Sequence, residues 1–328
     1  MKIIYLLLSI ASINLIIFKN LKKISKFINL YDKPNKKRKI HFVPTPSIGG
    51  IILVINLVLV GLINFFFKIL DFNYPIFFFY ALVIFFIALI DDIFDILPFK
   101  KFFLTSLVIF FFLLFNNEKL ISRVIFDFYY LSIENYFISL FITWLCVMLL
   151  LNAINLYDGI NGQLATYAIF VFAVFLYKNI FYDLSSFILF FLLFFLYYNL
   201  RGKIFLGDNG SFLIGFVIAF IVISNNSTAN YLTGEKIFLL MFLPGIDMFR
   251  LFVERLINKK NPFIADSSHV HHLFIKKFSI KKLYFFNILV YVLPIILSYK
   301  MNSLLLIIIL IILYLLFIYK YLGHTLKK

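Results

Sequence analysis

Eleven long apolar runs, each ended by a short polar break, constrain this 328-residue chain more than any other feature. They fall at approximately 3–18, 48–67, 75–90, 102–115, 136–152, 163–177, 185–200, 211–224, 237–257, 283–299 and 303–320. A helix needs about 20 apolar residues to cross the hydrocarbon of a bilayer, where every backbone polar group must be satisfied within the segment. Several runs are shorter, so their helices extend into flanking polar residues or end inside a protein-lined cavity. The runs are continuous and do not alternate, which excludes an outer-membrane barrel. With 63% hydrophobic and 14% charged residues, no long polar segments exist to cover a soluble core. The expected fold class is all-α, a polytopic membrane protein of about eleven transmembrane helices. No fixed-period repeat or low-complexity linker interrupts it, so residues 1–328 read as a single transmembrane domain.

The formal net charge is +16, and nucleic acid is the first partner to weigh for so basic a chain. The lysines and arginines lie in short loops between apolar runs, however. That placement points to orientation by the positive-inside rule and to anionic lipid or phosphate partners, with no nucleic acid. If the N-terminus is outside, 24 Lys and Arg fall on the cytoplasmic side, 9 of them in 19–47 and 8 in 250–282. Only Lys2, Lys68, Lys119, Arg123, Lys178, Lys236 and Lys300 fall outside. The expected orientation is N-terminus out, C-terminus in. Met1-Lys2 before an apolar run looks like a signal peptide, but the stronger positive charge follows that run and no small-residue cleavage site is visible, so an uncleaved first span is expected. The 47 Phe residues read as drift in an AT-rich genome and carry no functional weight. Cys146 is alone, which excludes an internal disulfide and any multi-cysteine metal site.

Five polar motifs follow odd-numbered spans, so the charge count places all of them on one face. Thr45-Pro46-Ser47-Ile48-Gly49-Gly50 closes the first loop. Asp91-Asp92, then Asp95, end the third span; carboxylates near membrane depth are costly and face a cavity, a cation or a metal. Spaced by one turn, the three share a helical face with Lys100 and Lys101 close behind. Two adjacent carboxylates suit either a metal or mutual repulsion that leaves one able to act as a base; the plainer alternative is a solvated helix end. Asn152, Asn155 and Asp158 recur every three residues, before Gly159 and Gly162. Asp208 stands between Gly207 and Gly210 at a helix N-terminus, where backbone N–H groups suit phosphate. Hard oxygen ligands with few carboxylates suit Mg²⁺, which completes its shell with water and phosphate. His269, His271 and His272 follow the basic pair Lys259-Lys260; without a nearby Cys, hydrogen bonding to a diphosphate is a better reading than zinc. Pro244-Gly245 suggests a kinked helix, with Asp247 either facing the cavity or paired with Arg250.

In this order the motifs resemble the polyprenyl-phosphate N-acetylhexosamine-1-phosphate transferases, glycosyltransferase family 4, from about Asp32 to His272. The pattern Lys-x-His-x-x-Pro-Thr-Pro-x-x-Gly-Gly from Lys39 to Gly50, and the His-x-His-His form at His269, look most like the undecaprenyl-phosphate GlcNAc-1-phosphate branch. The resemblance implies a site built from loops 19–47, 91–101, 153–162, 201–210 and 258–282. It implies Mg²⁺, with Mn²⁺ as a substitute, on Asn155 and Asp208, and catalytic roles for Asp91, Asp92, Asp158, His269, His271 and His272. Either Asp91 or Asp92 would deprotonate or position the lipid phosphate. Substrate would meet Lys39, His41, Lys101, Asn152, Gly207 and Asn209. The implied partners are a UDP-N-acetylhexosamine, undecaprenyl phosphate and the lipid bilayer, with a homodimer compatible. The implied place is the bacterial inner membrane, with the site facing the cytoplasm at the start of a cell-envelope glycan. Asn161 departs from the bacterial pattern, which often has a second acid there, and is a poor candidate for a catalytic acid. A phospho-MurNAc-pentapeptide transferase and a lipid-linked sugar transporter are the alternatives.

Overall fold

The computed structural model describes residues 2–34, 43–68, 75–225, 232–261 and 268–322. Fourteen α-helices run through these described residues: α1 (Lys2–Lys19), α2 (Leu21–Ile28), α3 (Gly49–Phe67), α4 (Pro75–Phe94), α5 (Pro98–Phe115), α6 (Tyr136–Tyr157), α7 (Gln163–Tyr177), α8 (Tyr182–Asn199), α9 (Asp208–Ser224), α10 (Gly234–Leu240), α11 (Phe242–Ile257), α12 (Val270–Lys277), α13 (Ile280–Leu297) and α14 (Ser303–Leu322). Every expected span coincides with a helix or, for 237–257, with the broken pair α10 and α11. Eight helices are long and apolar enough to cross a membrane: α3, α4, α5, α6, α8, α9, α13 and α14. The protein is a polytopic helical membrane protein.

Three departures from the sequence reading bear on the site. The helices α4, α5, α6 and α9 begin or end beyond the apolar runs and carry Asp91, Asp92, Lys101, Asn155 and Asp208 inside their end turns. Polar residues that read as loop therefore line a helix-walled cluster. The expected kink at Pro244 is instead a break at Met241, with Pro244 in the first turn of α11, where it needs no hydrogen-bonded N–H. Two short antiparallel ladders qualify the all-helical expectation. β1 (Tyr31–Asp32) pairs with β2 (Thr45–Pro46), and β3 (Arg123–Ile125) pairs with β4 (Tyr130–Ser132) between α5 and α6.

The core is organised around α9. Every residue from Asn209 to Ile221 is buried, as expected of a helix that is apolar all round. It packs against α3, α4 and α6. Phe216 and Phe220 fill the α4 and α5 side, with Phe77 at centroid distances of 5.8 and 4.5 Å. Gly215 lets the α6 backbone approach, since a Cβ there would stand 3.3 Å from Leu151 Cα. Farther out, α1 is keyed to α3 by a reciprocal pair of buried amides, Asn14 to Asn56, at 3.0 and 3.1 Å. Hydrocarbon supplies no hydrophobic drive between helices, so such pairs set register.

The segment Pro46 to Gly50 is a docking ledge. The N–H groups of Gly49 and Gly50 donate to the carbonyls of Phe205 and Leu206, both at 2.9 Å, and Phe205 N–H donates to Pro46 at 2.8 Å. A Cβ on Gly50 would overlap Asn209 and the backbone of Gly210, so the two helix N-termini cross only because this position is glycine. Gly50→Val should therefore force α3 and α9 apart. The expected cost is about 1–3 kcal/mol, seen as a lower thermal unfolding midpoint in detergent, while Gly245→Ala, which meets open space, should leave the midpoint nearly unchanged.

Candidate active site

Asp92, in the last turn of α4, aims its carboxylate at the start of α9. It accepts the N–H of Asp208 at 3.0 Å, the N–H of Asn209 at 2.9 Å, and the side-chain amide of Asn209. A carboxylate suits that end of a helix, where free N–H groups and the macrodipole both favour negative charge. Gly207 makes the seat. Its φ is +78°, and a Cβ there would lie 2.6 Å from Ser47 Oγ and 2.9 Å from Asp92 Oδ2. Here the structure corrects the sequence reading: what looks like a phosphate cradle at Gly207 and Asn209 is occupied by the chain's own Asp92.

Asp91 takes a different partner. Lys101, from the first turns of α5, donates to Asp91 at 2.7 Å and to Asp208. The same ammonium lies 5.2 Å from the Phe212 ring centroid. On the other side of Asp208, the amide Nδ2 of Asn155 donates to Asp208 Oδ1 at 3.1 Å and to Ser211 Oγ at 2.8 Å. That leaves the Asn155 carbonyl oxygen to accept elsewhere. Asp158 caps the end of α6, and burial, then the charges of Asp208 and Asp92, push its carboxyl up to about 7. Asp91, Asp92, Lys101, Asn155, Asp158 and Asp208 thus meet where α4, α5, α6 and α9 end.

Other expected residues stand apart. Asp95 lies past α4 with φ +50° and is exposed, as is Lys100, so the three acids do not share one helical face. Asn152 turns back onto its own helix, donating to the Met148 carbonyl at 2.7 Å. Lys39 and His41 lie outside the described residues.

The histidines are held by a buried pedestal. Asp247 Oδ2 meets His269 Nδ1 at 2.9 Å, and Asp247 Oδ1 accepts Arg250 at 2.7 Å, Tyr314 at 2.9 Å and the N–H of Val270 at 3.1 Å. Arg250 also donates to the Ser268 carbonyl at 2.8 Å. Of the two readings for Asp247 the pairing with Arg250 holds; the carboxylate is buried and does not face a cavity, and through His269 and Val270 it orients the histidine loop. Tyr314, on the last helix, gave no sequence signal. His269 stacks on His271 at 5.4 Å, and His271 reaches His272 at 4.4 Å. The imidazole of His271 lies against Gly159, where a Cβ would overlap its Nε2. The end of α6 therefore joins the two halves, Asn155 touching Asp208 and Gly159 touching His271.

The donor set bears on the metal. Among the described residues no group of three or more His, Cys, Asp or Glu converges as a cage, which is unlike a zinc site. One carboxylate and one amide oxygen, Asp208 and Asn155, do fit a Mg²⁺ that keeps water and substrate phosphate. Lys101 would then share Asp208 with the ion.

Residues 74–226 match the profile of glycosyl transferase family 4, a stretch running from α4 through α9 that carries the whole acidic cluster. The chain is 28% identical over 273 residues to the undecaprenyl-phosphate alpha-N-acetylglucosaminyl 1-phosphate transferase of Escherichia coli O157:H7, covering 78% of this chain and 71% of that one. It is 28% identical over 256 residues to the protein of the same name in Thermotoga maritima, covering 77% and 75%. The Yersinia pestis relative is 27% identical over 279 residues, 78% and 72% of the two chains. The chain thus resembles glycosyl transferase family 4 over residues 74–226 and these transferases over most of its length, as its motifs implied.

His271 is buried, and neither ring nitrogen has a hydrogen-bond partner among the described residues. Burial first, then the neighbouring His272 and His269, hold it well below the ordinary imidazole value. The unfolded chain takes up a proton near pH 6.5 that the folded one refuses, so stability falls as pH drops below that value. The thermal midpoint should fall between about pH 7.5 and about pH 5.5, by at most ~1.4 kcal/mol per pH unit from this group. His271→Asn should show a smaller fall.

Proposed function

We infer that this protein transfers an N-acetylhexosamine 1-phosphate, GlcNAc 1-phosphate as in its relatives' name, from a UDP-sugar to undecaprenyl phosphate and releases UMP. The observation that carries the reading is the junction at the end of α6, where an acidic, lysine-bearing cluster and a histidine loop converge at one end of the helices. A water-soluble nucleotide sugar and a lipid phosphate can meet only at a membrane surface, and the positive-inside count favours the cytoplasmic face of a bacterial inner membrane.

In this reaction an oxygen of the lipid phosphate forms a bond to the sugar-linked phosphorus, and the bond from that phosphorus to the UMP oxygen breaks. Positioning and charge neutralisation supply most of such a step. Asp92 keeps α9 and hence Asp208 in place, since its oxygens are engaged by N–H groups. Asp91, paired with the ammonium of Lys101, is the better placed of the two to meet the incoming lipid phosphate. When substrate arrives, Lys101 can follow the phosphate charge while staying within reach of Asp208. Asp158 changes charge near neutrality and so can hold or release a proton beside the diphosphate. His269, oriented by Asp247, and His272 present ring N–H groups to the sugar diphosphate. Mg²⁺ on Asp208 and Asn155 would supply charge neutralisation for the diphosphate oxygens.

Purified protein with undecaprenyl phosphate and Mg²⁺ should release UMP with UDP-GlcNAc or another UDP-N-acetylhexosamine. Folded protein that releases UMP only with UDP-MurNAc-pentapeptide, or with no donor at all, would overturn the reading. Asp208→Ala should abolish turnover at any Mg²⁺ concentration, by at least the ~10²-fold typical of losing one preorganised transition-state contact.

A further inference from the structure

Two of the seven basic residues that break the positive-inside pattern converge on a single aromatic ring. Lys178 follows α7, Lys236 lies in the first turns of α10, and Tyr299 follows α13. Both ammonium groups lie 5.2 Å from the Tyr299 ring centroid, and so within about a Debye length of each other. A third exception, Lys300, is the next residue along. The opposite ends of α7 and α13 adjoin Gly162 and the histidine helix, so the three residues mark the face of the bundle remote from the acidic cluster.

Local structure does not account for this pairing. A cation suits the C-terminal end of α7, so Lys178 has a helical reason to be there. Lys236 does not, because a positive charge at the start of α10 opposes that helix's dipole. Its neighbour Glu235 is buried and turned inward, accepting the N–H of Asp127 at 3.2 Å. Among the described residues neither Lys178 nor Lys236 has a carboxylate within ion-pair distance. One tyrosine face attracts each ammonium weakly at an exposed site, while the two ammoniums repel each other. An anion between them removes the repulsion, and the half-exposed Tyr299 adds a hydroxyl donor.

We propose that Lys178, Lys236 and Tyr299 form a site for the phosphate of an anionic lipid headgroup, in the leaflet opposite the acidic cluster. The lipid, and not free phosphate, is the occupant because the ring sits at the end of a membrane-spanning helix whose last turns present Leu293 and Ile296 outward. A headgroup held there continues directly into acyl chains lying on that face.

The test is native mass spectrometry of the full-length protein titrated with phosphatidylglycerol or phosphatidylcholine. Lys178→Ala/Lys236→Ala should lose one bound phosphatidylglycerol and bind it roughly 10- to 30-fold more weakly at that site, given about fivefold for each lysine. Lys178→Arg/Lys236→Arg should retain it, and Lys22→Ala/Lys23→Ala, on the other face, should leave this site unchanged. Equal phosphatidylglycerol occupancy in wild type and the double alanine variant would overturn the proposal. So would displacement of the lipid by inorganic phosphate at equimolar concentration, which would assign the site to a free anion. A double alanine variant that unfolds is replaced by the double glutamine variant, with the same expected loss.

Discussion

The carboxylate of Asp92 on the first N–H groups of α9 is the contact on which the rest of the site depends. It joins the end of one membrane helix to the start of the most buried one. An aspartate on free helix N–H groups contributes about 1–2 kcal/mol, and the same contact fixes where the neighbouring Asp208 stands. Asp208 then gathers Lys101 and Asn155. Gly207 and Gly50 are requirements of that contact, one clearing space for the carboxylate and the other letting α3 cross beside it. Substituting either would disturb the acidic cluster without touching any of its charges.

A second buried anchor holds the histidines. Asp247 and Arg250 lie within the protein with nearly all their polar atoms engaged, and losing one partner of such a pair leaves a stranded charge, costing about 3–5 kcal/mol. The pedestal belongs to α11, with Tyr314 contributed by α14, yet its product is the geometry of His269 and the start of α12. The family-like motifs end at His272, before the last two helices, yet α14 completes the support of His269 through Tyr314 on Asp247.

The two anchors meet through the end of α6. Asn155 and Gly159 lie on successive turns there, one against Asp208 and the other against His271. Substrate bridging the acidic cluster and the histidines would lie along this short segment. Asp158, between them, is pushed up to about 7 by burial first and then by the charges of Asp208 and Asp92.

The helical segments, and the polar residues at their ends that the fold gathers (Asp91, Asp92, Asn155, Asp208 and the histidines), were legible in the sequence, because apolar length and polar breaks are local properties. The family was legible from motif order for the same reason. The division of labour between Asp91 and Asp92 was not: adjacent and chemically identical, they differ only in what the fold brings to each, Lys101 to one and a helix N-terminus to the other. Nor was the role of Gly207, which reads as a phosphate-binding glycine until α4 is seen to fill its cradle. Lys178 and Lys236 lie far apart in the chain, and only the packing of α7, α10 and α13 brings them to one ring. Sequence alone determined which polar residues stand at the ends of apolar helices; tertiary structure decided which charges meet, since partners distant along the chain are chosen by helix packing and by nothing local.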